Sequence, residues 1–201
     1  MLEDDILACQ LDIDFKDWAT ELTPAQRHAL RRWQGVDRLY ERIQRILRDE
    51  AGDEEDDNLT DTLETIVEAI QAGSLARDVV TWRGVRSTIR SFGRPNSNLA
   101  GLVDEDLVQD GLLALSTSKA LALKEFTQPP LGGGPALLRV AVPAKTPAAW
   151  LPLGGDPKLQ YQRELLLGPG HTLHVGKISY LTVDDVSYPE GTLPVLDVEV
   201  L

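Results

Sequence analysis

The stretch Asp78-Val79-Val80-Thr81-Trp82-Arg83-Gly84 divides this chain into two kinds of sequence. Before it, apolar residues recur every three or four positions. From it onward they come in short runs rich in β-branched residues, set off by glycine and proline. A chain that is helical first and stranded afterwards, with mostly short turns, belongs to the α+β class rather than to alternating α/β.

Upstream, Thr23-Pro24 places a capping residue before a proline suited to a first helical turn. Leu30, Trp33, Val36, Leu39, Tyr40, Ile43 and Leu47 follow at helical spacing, and Gly35 is the expected break between two helices. Leu59-Thr60-Asp61 is the expected cap of a further helix carrying Leu63, Ile66, Val67 and Ile70, closed by Gly73. Downstream, strands are expected over Leu112–Leu115, Ala136–Val142, Glu164–Leu167, Thr172–Val175, Lys177–Val183 and Leu193–Leu201, with Gly168-Pro169-Gly170 as a tight turn. Thr127–Gly134 and Pro152–Gln160 read as loops. The triplet Gly132-Gly133-Gly134 lacks the Lys-Ser/Thr and the following helix of a phosphate-binding loop. With 201 residues, the expected organisation is a single domain over 1–201: an acidic N-terminal lead (1–19), a helical part (20–77) and a mainly β part (78–201).

Composition narrows the function classes. Apolar residues make up 42% and charged residues 26%, ordinary for a globular protein, and no apolar run approaches the ~20 residues of a membrane span. Met1-Leu2-Glu3-Asp4-Asp5 lacks the basic region and apolar run of a secretory signal, so the expected location is the cytoplasm, or outside the cell by a route that needs no such signal. The single Cys9 cannot form an internal disulfide. A net charge of −12 opposes general binding to a nucleic-acid backbone, although Arg86, Arg90 and Arg94 form a local basic run that leaves a nucleic-acid acceptor open. The acidic run Asp49–Asp57 reads as a solvated loop, because it lacks the glycine and glutamate spacing of a calcium loop. His171 and His174 lie three apart on an expected strand, hence on opposite faces, and no metal site is expected.

Three polar motifs interrupt the strand-like runs: Thr81-Trp82-Arg83-Gly84, Leu115-Ser116-Thr117-Ser118, and Tyr161-Gln162-Arg163-Glu164 running into Leu165-Leu166-Leu167. Taken singly, Trp82 is a half-buried strand aromatic, Arg83 a salt-bridged strand residue, the serines a common strand edge and Glu164 a solvated face residue. Taken together they place an arginine, a serine and a carboxylate at the rim of a sheet, a set suited to splitting NAD.

In that order and context the motifs resemble the mono-ADP-ribosyltransferase superfamily, in the branch with an Arg, Ser-Thr-Ser, Glu signature that includes bacterial exoenzyme toxins. Trp82-Arg83-Gly84 looks like the aromatic-Arg strand, and Ser116-Thr117-Ser118 matches the Ser-Thr-Ser strand. Gln162-Arg163-Glu164 looks like the Gln-x-Glu that opens a late strand in the Rho-modifying clostridial exoenzymes. Tyr40-Glu41-Arg42-Ile43-Gln44-Arg45-Ile46-Leu47-Arg48 is similar to the family helix Tyr-x-x-Ile-Asn-x-x-Leu-Arg, with Gln44 in place of Asn. Leu159 stands where the family usually has an aromatic residue, with Tyr161 the nearest ring.

The resemblance implies N-terminal helices packed on a split two-sheet β-core, and NAD as co-substrate without a metal. Cleavage of the nicotinamide–ribose bond leaves an oxocarbenium ion, which a carboxylate stabilises; Glu164 takes that role. Arg83 holds the pyrophosphate through its planar fork of donors, with Arg48 as a further NAD contact. Ser116 fixes the carboxylate and a ribose hydroxyl, while Thr117, Trp82 and Gly84 belong to the NAD-binding strands. A flexible Lys119–Gly134 segment covers the nicotinamide, with Phe126 as the stacking ring. Gln162 accompanies acceptors other than arginine and orients a weak nucleophile.

The function expected is therefore transfer of ADP-ribose to a macromolecular acceptor, protein rather than nucleic acid, by a bacterial toxin or effector. An immunity or antitoxin partner is an expectation of that class. Two alternatives share the motifs: an NAD glycohydrolase that transfers to water, and a catalytically idle relative that binds NAD or a partner.

Overall fold

The helical half comprises α1 (Glu3–Asp14), α2 (Lys16–Glu21), α3 (Pro24–Trp33), α4 (Leu39–Leu47) and α5 (Asp57–Ala72). The computed structural model describes residues 3–35, 38–50, 57–183 and 191–201. Helix α3 starts as its sequence dictates. Thr23 Oγ1 accepts the Gln26 N–H at 3.2 Å, and Gln26 Oε1 accepts the Thr23 N–H at 3.0 Å, a reciprocal cap completed by Pro24 in the first turn. The break expected at Gly35 falls between α3 and α4. Helix α5 begins at Asp57, two residues before the cap expected at Leu59, and Gly73 follows its end. Of the acidic run, residues 51–56 lie outside the described residues, as does Val36.

The strands are β1 (Val79–Val85), β2 (Asp106–Gln109), β3 (Leu113–Ser116), β4 (Ala136–Val142), β5 (Ala148–Trp150), β6 (Glu164–Leu167), β7 (His171–Thr182) and β8 (Thr192–Val200). Short helices α6 (Thr88–Phe92), α7 (Lys119–Glu125) and α8 (Leu151–Gly154) lie between them, with 3-10 turns over Asn96–Leu102 and Pro157–Gln162. Where two strands were expected over Thr172–Val183, one long strand runs through, its register shifting between Val175 and Lys177. The order across the sheet is β2-β7-β8-β4-β1-β3-β6-β5. Among the described residues only β4 and β8 pair in parallel.

The β1–β3 junction carries a single register pair, Trp82 opposite Ser116. One sheet thus joins two halves, β2-β7-β8-β4-β1 and β3-β6-β5, and the split core expected from the sequence is bridged at this pair.

Alternation along the strands separates two cores. In the larger, Leu138 and Val140 of β4 join Leu30, Trp33, Ile43, Ile66 and Ile70 from the helices and Leu115 and Leu165 from β3 and β6. Each such side chain, when fully buried, contributes about 1.5–3 kcal/mol relative to exposure. The smaller gathers Leu137, Leu193, Val195 and Ala122, with Trp82, Leu123 and Phe126 packed against it. The segment expected as a flexible cover thus opens with a helix docked on the sheet. Ser118 Oγ caps α7 by accepting the Leu121 N–H at 3.3 Å, and Gly84 of β1 lets the helix approach: a Cβ there would meet Ala122 O at 2.4 Å.

Candidate active site

The three motifs meet at the junction of the two half-sheets. Ser116 ends β3, with Trp82 of β1 opposite it on one side and Glu164 of β6 on the other. The sheet order, not proximity in sequence, brings them into one row.

Glu164 is the most constrained of the group. Its Oε1 accepts from Trp33 Nε1 at 2.8 Å and its Oε2 from Gln34 Nε2 at 3.0 Å, both at the end of α3. The Gln34 Oε1 also accepts the Asp156 N–H at 2.9 Å, so one amide ties the carboxylate to the loop that leads into Gln162. Enclosure by protein raises the Glu164 pKa above its ordinary value, opposed by the two donated hydrogen bonds and by the Arg83 charge.

Arg83 shares the face of β1 that carries Val79, Thr81 and Val85 and donates to Ala114 O at 3.3 Å. Burial, and secondarily the Arg48 charge, lower its pKa to about 10, with Glu164 acting in the opposite sense. It stays charged at neutral pH. Arg48 caps the C-terminus of α4, and the two arginines line a cleft of about 220 Å³ together with Arg90, Ser91, Glu50 and Asp110. Three guanidinium groups around one cleft suit a ligand with a diphosphate.

Ser116 Oγ donates to the Gln162 carbonyl at 2.7 Å and accepts the Ser118 N–H at 3.1 Å. Its hydrogen goes to the main chain just ahead of Glu164 rather than to the carboxylate. Thr117 is buried, and its N–H donates to Arg163 O at 3.1 Å; its hydroxyl has no partner among the described residues. Gln162 closes the 3-10 turn after Tyr161, which is exposed. Trp82, Gly84 and Phe126 lie on the opposite face of β1 from Arg83, where Trp82 stacks under Lys119 Nζ at 5.0 Å from its ring centroid and Gly84 and Phe126 form the contact with α7. The register thus puts Trp82, Ser116 and Glu164 in one row, and charge interaction links Glu164 to Arg83 and Arg83 to Arg48; Gly84 and Phe126 lie at the contact with α7.

Sequence reading did not single out Trp33 and Gln34 as holders of the carboxylate. Trp33 fits the apolar stripe of its helix, and no local signal links it to Glu164. Among the described residues no group of three or more His, Cys, Asp or Glu side chains is arranged to hold a metal, and no helix is long and apolar enough to cross a membrane.

This geometry agrees with comparison to known proteins. The ADP-ribosyltransferase exoenzyme family model matches residues 12–190. No curated sequence matches the chain. Among solved structures, Plx2a, an ADP-ribosyltransferase toxin from Paenibacillus larvae, superposes with a TM-score of 0.76 at 14% identity, over 100% of this chain and 97% of that one. The Clostridium limosum C3 exoenzyme gives 0.74 at 12% identity, over 100% and 96%. BECa, an ADP-ribosylating toxin of a C. perfringens binary enterotoxin solved with NADH, gives 0.77 at 17% identity; 98% of this chain covers 48% of that one. The chain belongs to the ADP-ribosyltransferase exoenzyme family, the NAD-dependent mono-ADP-ribosyltransferases of bacterial toxins.

Proposed function

We propose that this protein binds NAD in the cleft lined by the C-terminal end of α4, β1, α6 and β2, cleaves it at the nicotinamide–ribose bond beside Glu164, and transfers the ADP-ribose to a macromolecular acceptor, a protein in preference to a nucleic acid. The observation that carries the reading is Glu164, a carboxylate oriented by two donors and within the electrostatic reach of Arg83. A carboxylate with both oxygens occupied by fixed donors is preorganised, and needs little rearrangement when positive charge develops nearby.

In this reading Arg83 and Arg48 bind the diphosphate of NAD, and Arg90 widens the positive field at the mouth of the cleft. Glu164 stabilises the ribosyl oxocarbenium ion as the C–N bond breaks and the pair of bonding electrons leaves with neutral nicotinamide. The acceptor nucleophile then attacks the anomeric carbon and gives up its proton. Gln162 orients that nucleophile, and Ser116 holds the main chain that carries it. The larger of the two cores draws residues from Ala8 of α1 to Val200 of β8, which supports treating the chain as a single domain.

The test is transfer of label from NAD labelled on adenine to a cell extract, with Glu164→Ala as the comparison, followed by separate protease and nuclease digestion. Label that depends on Glu164 and is released by protease is the expected result. Nicotinamide release without any label on macromolecules would mean transfer to water instead.

A further inference from the structure

We propose that Asp4 and Asp5, consecutive residues at the start of α1, are positioning residues for the transfer step: they brace the turn that carries Gln162. This rests on the reading of Gln162 and Glu164 above.

The sequence presents residues 1–19 only as an acidic lead, but Asp4, Asp5, Asp12 and Asp14 of α1 each have a specific partner. Asp5 Oδ1 meets Arg163 Nη1 at 2.7 Å, and Asp4 Oδ2 accepts the Lys119 N–H at 2.9 Å. Arg163 lies between Gln162 and Glu164, and Lys119 directly follows the Ser116-Thr117-Ser118 segment. One rigid helix therefore contacts both segments of the site just where they leave the sheet. Farther along, Asp12 accepts from Trp150 Nε1 at 2.7 Å and Asp14 pairs with Arg77 at 3.0 Å, while Leu11 and Phe15 are buried. These contacts anchor the helix, so its first turn is a fixed point rather than a loose end.

The turn needs such a point. Arg163 has φ of 48°, left-handed backbone that a non-glycine residue adopts only when its surroundings hold it. From β3 it is held by Thr117 N–H to Arg163 O and by Ser116 Oγ to Gln162 O. Asp5 supplies the tie from the opposite side. Glu164 is independently secured by Trp33, Gln34 and the β3–β6 ladder. Loss of the brace therefore disturbs Gln162, and with it the acceptor, more than it disturbs cleavage of NAD.

The deciding experiment is amide hydrogen exchange on the full chain, comparing the wild type with Asp5→Asn, Asp4→Ala and the charge-swapped pair Asp5→Arg with Arg163→Asp. Aspartate suits the left-handed position, so the swap keeps the backbone and reverses the ion pair. Asp5→Asn is expected to speed exchange over residues 157–164 and at Thr117 about fivefold, the ratio set by one well-formed exposed ion pair, and Asp4→Ala to do the same at Lys119. The swap is expected to restore protection. In parallel, labelled transfer to a cell extract should fall about fivefold relative to nicotinamide release into water, with the KM for NAD unchanged. Exchange unaltered in Asp5→Asn, or left fast in the swapped pair, overturns the brace. An unchanged ratio of transfer to hydrolysis overturns its role in transfer. A wild type that releases no nicotinamide overturns the catalytic reading instead, and leaves the exchange result to judge the brace by itself.

Discussion

Trp33 Nε1 donates to Glu164 Oε1 across 2.8 Å, joining the last residue of α3 to the first residue of β6. The indole is otherwise buried in the main core, so the direction of the carboxylate is set by the packing of a helix on a sheet. Trp33→Phe keeps most of that packing and deletes the donor. A hydrogen bond to a charged group contributes about 1.5–3 kcal/mol, so kcat/KM for nicotinamide release at neutral pH is expected to fall about tenfold or more. Because the bond favours the ionised form, its loss also moves the acid limb of the pH profile upward. A profile that stays in place would show that Trp33 does not act on the carboxylate.

Glu164 itself makes two opposite demands on pH. Activity requires the carboxylate, and burial raises its pKa above the ordinary 4.5, so nicotinamide release should rise with pH through a limb above that value. Stability runs the other way. Above pH 4.5 the unfolded chain releases this proton while the folded protein still holds it, so the contribution of Glu164 to stability is complete below 4.5 and is lost as pH rises through the folded pKa. Glu164→Gln should remove that slope from urea denaturation measured across pH 4.5–8, and lower nicotinamide release by about 10²–10³.

Arg83→Lys is not a conservative change at this position. Lysine supplies one ammonium where Arg83 presents a fork, so the KM for NAD should rise about tenfold. There is also a pH signature. Burial brings the arginine to about 10, where it remains charged through the neutral range. The same burial acts on a lysine from a lower starting value, ~10.4, so the variant loses its charge at lower pH. Its activity should decline at lower pH than that of the wild type, as steady-state rates across pH 7–9.5 would show.

These residues differ in how far the sequence reveals them. The β-rich run through Arg83, the apolar strand behind Glu164 and the Thr23-Pro24 cap follow local rules, and the structure has an element at each. The row Trp82–Ser116–Glu164 depends on strand order, which the motif resemblance implies but spacing alone does not. Trp33 and Gln34 lie in a helix whose periodicity explains them as core and cap, and no local pattern announces a partner on a distant strand. Asp4 and Asp5 look like any solvated acids until Arg163 and Lys119 are placed beside them. Helix α7 spans seven residues, scarcely two turns, so its period is too short to stand out beside the following Pro129-Pro130 and glycine triplet.

The same helix supplies a stability test, because Gly84 is where β1 and α7 come closest. A Cβ on residue 84 would lie 2.4 Å from Ala122 O and 2.8 Å from the Phe126 carbonyl carbon and Cβ. Two of these three atoms are main chain, so no flexible side-chain end can swing away and α7 must lift from the strand. Lifting it separates Ala122 and Phe126 from Leu137 and Leu193 and draws Lys119 off the Trp82 ring. Overpacking of this kind costs about 1–3 kcal/mol, which for a chain of this length lowers Tm by roughly 3–10 °C. Gly132→Ala is the matched control: nothing lies within 4 Å of its added Cβ, and a surface change of that kind is expected to stay within ~0.5 kcal/mol. Since β1 also carries Arg83 on its other face, Gly84→Ala should raise the KM for NAD as well as lower Tm. A Tm equal to that of Gly132→Ala would mean that α7 does not depend on the missing side chain.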